Sequence, residues 1–354
     1  MNEKINVLVV EDSPVARELL VHILSSDPGI QVIGTANNGE EAITATKRLS
    51  PDVITMDIYM PKMDGYEATR RIMEIQPTPI VIVTASPSIK EVSMAMRIIE
   101  AGAVAAEQKP GGSGHKDYEV DASRLIRTVK LMSRVKVIKR WARREIFQHE
   151  EKKTGPMPEP KLVAIGASTG GPPVLRTILS HLPKNFPVPV LIVQHIAPNF
   201  IEGFVEWLGQ TSSIPVHVAT QYAQIIPGHA YLAPDGFQMK LDNYNRISLT
   251  GDEPVNGLRP SVSYLFNSVA KIYGRNAIGI LLTGMGKDGA NELKLLKETG
   301  AITIVQDMES CVVNGMPGEA MNLDAAIFVL PPEKIASVVT GLVNKMLDNW
   351  GVNL

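Results

Sequence analysis

The feature that most limits how this chain can fold is an alternation, kept up along nearly its whole length, of short β-branched runs with longer helix-patterned stretches. Such alternation is the signature of parallel α/β sheets. In the first half, strands are expected at 6–10, 32–36, 53–56, 80–84 and 103–108, with helices between them, among them 14–25 with Ser13 as N-cap and 39–49. Five strand–helix units within residues 1–130 predict a flavodoxin-like, doubly wound domain. A second series starts at Lys161, with strands expected at 162–166, 190–194, 216–219, 230–233, 278–283, 302–305 and 327–330. It predicts a larger doubly wound α/β sheet, mostly parallel, with an antiparallel hairpin near residues 230–250.

A length of 354 residues suits two such domains, each with its own core. With 44% hydrophobic and 20% charged residues, the composition is that of a globular protein rather than a disordered one. The expected division is residues 1–130, a connecting segment at 131–160, and a second domain at 161–350. The connection differs in character from its neighbours. Between Arg124 and Lys153 stand eleven Lys/Arg and three Glu, a local charge of about +8 in a chain whose net charge is −2. Its apolar residues recur every three or four positions, which predicts the last helix of the first domain running on into an exposed basic helix. The Pro-rich run Thr154–Pro160 cannot continue that helix. A nucleic-acid contact is the sharper use of this charge, but the near-neutral whole chain disfavours it. The single cysteine, Cys311, excludes an internal disulfide and a cysteine-rich metal site. The first ten residues, MNEKINVLVV, lack a signal-peptide layout, and their apolar run is too short for a bilayer. A cytoplasmic protein with no membrane insertion is therefore expected.

Three acids of the first domain fall at carboxyl ends of strands: Glu11 and Asp12 after VLVV, and Asp57 after VITM. In doubly wound sheets the ligand crevice lies at that edge. Three crowded carboxylates repel one another unless a cation sits among them, and all-oxygen ligation suits Mg²⁺. Thr84 ends the fourth strand and Lys109 follows the fifth, which brings a hydroxyl and an ammonium to the same edge. An aspartate beside Mg²⁺ and an ammonium can attack a phosphoryl group, because both cations neutralise transition-state charge. Capping and solvation explain each residue singly; five at successive strand ends call for more.

In the second domain, residues 162–174 read LVAIGASTGGPPV. A G-x-S-x-G between a strand and a helix matches a nucleophile elbow centred on Ser168. A Gly-rich phosphate-binding turn is the alternative, but the spacing is not G-x-G-x-x-G. The next strand ends in His195, so a serine and an imidazole share one sheet edge. Asp288 lies in the Gly-rich turn after the strand at 278–283, where it could orient the imidazole or merely N-cap the helix expected from Ala290. The same turn exposes backbone N–H groups, notably that of Met285, as oxyanion donors. The order Ser168…His195…Asp288 differs from those of α/β-hydrolases, chymotrypsin and subtilisin. A generic lipase or protease is thereby set aside.

With Asp57-Ile-Tyr-Met-Pro61-Lys-Met-Asp64-Gly65, the first domain resembles the receiver of two-component response regulators. GASTGG, VQHIAPNF, Arg259-Pro-Ser-Val262, LLTGMGKDGA and Gln306–Ala320 resemble the catalytic domain of the chemotaxis protein-glutamate methylesterases, the CheB family. The resemblance implies Asp57 as phosphoacceptor, Glu11, Asp12 and Asp57 as Mg²⁺ ligands, and Thr84 with Lys109 as the switch pair. It implies a triad of Ser168, His195 and Asp288, with Met285 N–H as oxyanion donor and no cofactor in the catalytic domain. It further implies hydrolysis of γ-glutamyl methyl esters on methyl-accepting chemotaxis receptors, deamidation of specific receptor glutamines, and activation by phosphotransfer from the histidine kinase CheA. Two departures stand out: Ala106 occupies the position three before the lysine where receivers carry an aromatic ring, and Gly257-Leu258-Arg259-Pro260 lacks further basic residues. The contrasting reading is a response regulator whose output binds nucleic acid, or docks receptors without catalysis.

Overall fold

The structure, a computed structural model, describes residues 4–85, 87–112, 114–135 and 159–344. The chain forms two compact units, Met1–Arg143 and Arg144–Leu354. The basic helix expected beyond residue 135 and most of the Pro-rich run fall outside the described residues.

The first unit alternates β1 (Ile5–Val10), α1 (Pro14–Ser25), β2 (Ile30–Ala36), α2 (Gly39–Leu49), β3 (Val53–Met56), α3 (Gly65–Ile75), β4 (Ile80–Thr84), α4 (Ile89–Ala101), β5 (Ala105–Gln108) and α5 (Tyr118–Met132). Its strands form one parallel sheet in the order β2-β1-β3-β4-β5. Helices start where short polar side chains can accept an orphan amide: Ser13, Asn38, Asp64 and Ser88 each take a backbone N–H of the first turn. Strands β3 and β4 are buried along their full length, as Val/Ile-rich strands covered on both faces must be. The sheet's direction of growth reverses between β1 and β3, so the crevice opens where Glu11, Asp12 and Asp57 stand.

The second unit contains β6 (Leu162–Ala167), α6 (Gly171–His181), β7 (Val190–Gln194), α7 (Ile201–Gly209), β8 (Val216–Val218), β9 (Ala230–Leu232), β10 (Gln238–Leu241) and β11 (Ile247–Thr250). It continues through α8 (Val262–Ile272), a short 3₁₀ turn, β12 (Ala277–Leu281), α9 (Ala290–Glu298), β13 (Ile302–Gln306), α10 (Met316–Asn322), β14 (Phe328–Leu330) and α11 (Pro332–Val343). Seven strands form a parallel sheet in the order β14-β13-β12-β6-β7-β9-β8. The expected antiparallel hairpin exists as β10–β11, a two-stranded sheet of its own, and the main sheet is wholly parallel. Ile247 of β11 also accepts Tyr222 N–H and donates to Ala223 O, both at 2.8 Å. The hairpin's apolar face, Met239, Leu241 and Ile247, packs into the same core as Leu265, Phe266 and Val269 of α8. Burying each such side chain contributes about 1.5–3 kcal/mol, so packing on α8 stabilises the hairpin.

β12 stops two residues short of the expected 283. Leu282 N still donates to Gly166 O at 2.9 Å, but Thr283 N turns to the Gln306 side chain at 2.8 Å, which ends the ladder. Among the described residues, no helix is long and apolar enough to cross a membrane.

Candidate active site

The strand order makes β12, β6 and β7 neighbours, with β6 in the middle, and the sheet reverses its growth between β6 and β12. Ser168, His195 and Asp288 follow those three strands at their carboxyl ends. Ser168 stands one residue beyond β6, and its N–H donates to Thr283 O at 3.0 Å while its carbonyl accepts Gly171 N–H at 2.8 Å. The turn then passes through Gly170, whose φ of 79° is left-handed, into α6. The approach from the β12 side is close: a Cβ on Gly284 would lie 2.6 Å from Ser168 Cβ and 2.4 Å from Met316 Sδ. Gly284→Ala should therefore displace the serine turn, lowering esterase turnover about 10²-fold, as misplacement by about 1 Å does. Turnover measured on folded protein, verified by circular dichroism, checks this.

His195 is placed by register. Ala167 pairs with Gln194 across β6 and β7, and His195 N donates to Ala167 O at 2.9 Å. Its imidazole Nε2 lies 3.0 Å from Asp288 Oδ2. A carboxylate can only accept, so Nε2 carries a proton, and in the neutral imidazole this leaves the lone pair on Nδ1. Asp288 is 2% exposed, and burial alone would push its carboxyl up. Hydrogen bonds from His195, Ser261 and Val262 N–H outweigh burial and hold it below the ordinary range. The acid is therefore ionised and able to stabilise an imidazolium. Among the described residues, Ser168 Oγ and Met285 N–H make no hydrogen bond, so the structure joins His195 to Asp288 without a bond from the serine hydroxyl to the imidazole.

In the first unit, ligand oxygens of Glu11, Asp12 and Asp57 all lie within 4.8 Å of one another. Lys109 Nζ reaches Glu11 Oε2 at 2.7 Å and Asp57 Oδ1 at 3.0 Å. Burial pushes the Asp57 and Glu11 carboxyls above their ordinary range, against the pull of the Lys109 ammonium. The ammonium is itself held above its ordinary range by the two acids, although burial opposes this. Three crowded carboxylates, two of them buried and Asp12 exposed, are a fit for a hard divalent cation, with the Lys109 ammonium beside Glu11 and Asp57. Thr84 ends β4 as expected, but its hydroxyl donates to Glu91 of α4.

Comparison with family models matches residues 163–339 to the CheB methylesterase family and residues 7–115 to the response regulator receiver domain. A protein-glutamate methylesterase/protein-glutamine glutaminase of Nitrosospira multiformis is 57% identical over 344 residues, covering 96% of this chain and 97% of that protein. The chain belongs to the CheB methylesterase family. A second CheB-family relative, a protein-glutamate methylesterase/protein-glutamine glutaminase of Syntrophus aciditrophicus, is 55% identical over 97% of this chain and 99% of its own length. Among solved structures, the CheB methylesterase catalytic domain of Thermotoga maritima matches with TM-score 0.51 and 38% identity, over 52% of this chain and 99% of that domain. The expected family is thus the family found, and with it a hydrolase that follows a receiver domain.

Within this CheB-family site, the capping role considered for Asp288 does not hold for α9, whose N-cap is Gly289 without a side-chain bond. Asp288 instead meets the start of α8, where Ser261, Val262 and Ser263 each donate to it. Ser261 and Val262 belong to the Arg259-Pro-Ser-Val262 run that carries the resemblance, but the run alone gives them no role. A serine ahead of an apolar helix signals an N-cap, which Ser261 is, but local pattern cannot tell which distant carboxylate arrives there. Gln194 was also missed: its Nε2 donates to Ser168 O and to His195 O, both at 2.8 Å, and so braces the serine turn against the histidine loop.

Proposed function

We propose that residues 161–350 hydrolyse γ-glutamyl methyl esters on methyl-accepting chemotaxis receptors, releasing methanol and a free glutamate, and deamidate specific receptor glutamines by the same route. The observation that carries this reading is the 3.0 Å bond from His195 Nε2 to the ionised Asp288, beside the serine turn. In the reaction, Ser168 Oγ attacks the ester carbon as its proton passes to His195 Nδ1, the nitrogen left free by Asp288. The carbonyl oxygen becomes an oxyanion, to which Met285 N–H donates. The imidazolium returns the proton to the leaving methoxide, or to the leaving amide nitrogen of a glutamine, and an acyl-serine remains. Water, deprotonated by His195, then hydrolyses the acyl-serine and restores the Ser168 hydroxyl.

Residues 1–130 are the regulatory receiver, with 131–160 as the linker. Asp57 accepts a phosphoryl group from a phosphodonor kinase, in our reading CheA, and Glu11, Asp12 and Asp57 hold Mg²⁺. The bound ion supplies neutralisation of the phosphoryl charge. Lys109, already on Asp57, provides a second positive charge at the same oxygens. Thr84 is turned to Glu91 and must leave it to reach a phosphoryl group. We place this activity in the cytoplasm, where such receptors present their methylated helices.

Methanol release from a methylated receptor, with and without a phosphodonor plus Mg²⁺, tests the whole reading. The wild-type chain is expected to respond to the phosphodonor. Asp57→Asn should remove phosphorylation and leave only basal release. A full response in that variant would take the receiver out of the regulatory account, and no methanol under any condition would end the esterase reading.

A further inference from the structure

The Asp288 carboxylate is held by one helix start. Ser261 Oγ donates to Oδ1 at 2.8 Å, Val262 N to Oδ2 at 2.6 Å and Ser263 N to Oδ1 at 3.3 Å. Of these three donors only Ser261 Oγ belongs to a side chain. Ser261 is 0% exposed, so its hydroxyl has no solvent to turn to. The residue is itself aimed from behind, since its N–H donates to Gln238 Oε1 at 2.9 Å. Gln238, also fully buried, spends its Nε2 on Glu253 O at 3.3 Å and Leu258 O at 3.1 Å. An unbroken buried chain thus runs from the β10–β11 hairpin through Gln238, Ser261 and Asp288 to His195. It gives the hairpin that left the main sheet a connection to the acid.

We propose that Ser261 is a positioning residue of the esterase, its buried hydroxyl, aimed by Gln238, fixing the Asp288 carboxylate so that Oδ2 meets His195 Nε2. This inference rests on the triad reading above. Capping α8 does not account for the geometry by itself. The cap uses a lone pair of Ser261 Oγ, which accepts Tyr264 N–H at 3.4 Å, whereas the hydroxyl's single proton goes to Asp288. The two roles separate by substitution, because Gly is well tolerated at an N-cap and Ala is not. If Ser261 only capped the helix, Ser261→Gly would behave like the wild type and Ser261→Ala alone would suffer.

The test is methanol release from methylated receptor by the full chain under activating conditions, for Ser261→Ala, Ser261→Gly, Ser261→Thr, Asp288→Asn and the double variant Ser261→Ala/Asp288→Asn. Ser261→Ala and Ser261→Gly are both expected to lose about 10- to 100-fold in kcat with KM within about twofold, since a misaimed acid affects the transition state more than binding. Their melting temperatures should differ while their kcat values agree. Ser261→Thr keeps the hydroxyl and should recover most of the turnover. The double variant should be no slower than Asp288→Asn, because Ser261 acts through Asp288. Should Ser261→Ala fail to fold, the Gly and Thr variants carry the comparison. Wild-type kcat in Ser261→Gly, or a further tenfold loss in the double variant, would overturn the inference. A full-rate Asp288→Asn would overturn both the inference and the triad. A crippled Asp288→Asn beside full-rate Ser261 variants would overturn the inference alone.

Discussion

Ser168→Ala is expected to reduce methyl-ester hydrolysis by about 10⁴-fold or more, because removing a nucleophile leaves only binding and oxyanion stabilisation to work on water. The change deletes one oxygen atom that makes no hydrogen bond among the described residues, so it leaves no buried partner unpaired. The fold should be untouched: the Ser168 backbone keeps its bonds to Thr283 O and Gly171 N. Phosphorylation of Asp57 should proceed normally, since that carboxylate lies in the other compact unit. Stopped-time methanol release, beside phosphate incorporation and a melting curve, separates these outcomes. Near-normal turnover on methylated receptor would remove Ser168 from the chemistry.

Asp288→Asn should cost about 10³- to 10⁴-fold in kcat, for a reason specific to its surroundings. Both carboxylate oxygens accept only: Oδ2 takes His195 Nε2 at 3.0 Å and Val262 N at 2.6 Å, and Oδ1 takes Ser261 Oγ at 2.8 Å and Ser263 N at 3.3 Å. An asparagine must put its NH₂ at one of those positions, facing a backbone N–H in either case. If it sits toward His195, the imidazole is driven to the other tautomer, Nδ1 gains the proton, and Ser168 loses its base. If it sits toward Ser263, that N–H is left unpaired, at a cost of about 1–3 kcal/mol. Stability should change with pH as well. The Asp288 carboxyl is held below its ordinary range despite burial, so its ionised form contributes stability in full above the unfolded-state pKa. That contribution disappears as pH falls through the lower folded-state pKa. Acid unfolding midpoints of the wild type should therefore be steeper on this limb than those of Asp288→Asn, and equal profiles would show that the carboxylate carries no such linkage.

Much of the fold could be read from local pattern. The runs that became β3, β4 and β7 have the expected bounds, because four or five consecutive β-branched or apolar residues between turn signals leave few alternatives to a buried strand. Helices α1 and α2 begin at Pro14 and Gly39 because Ser13 and Asn38 accept first-turn amides, which is a local event. His195, Asp57 and Glu11 could be singled out for the same reason, and Ser168 by the G-x-S-x-G around it. Each stands one residue past a strand, and the end of a strand is written in its own few residues.

What the linear order does not contain is who meets whom. β12 follows β6 by more than a hundred residues yet hydrogen-bonds to it along its whole length, and only that pairing carries the Asp288 turn to the serine. The hairpin β10–β11 alternates like any edge strand pair, and nothing in its residues says that it leaves the main sheet for a place on α8. Ser261 announces a helix start but not the buried acid it holds. Periodicity and capping act over a few residues, whereas strand order and buried polar pairing are settled by how whole faces are removed from water. The amino-acid order therefore determined the elements and the residues at their ends. The packed sheet alone decided that Asp288 reaches His195, and by way of Ser261.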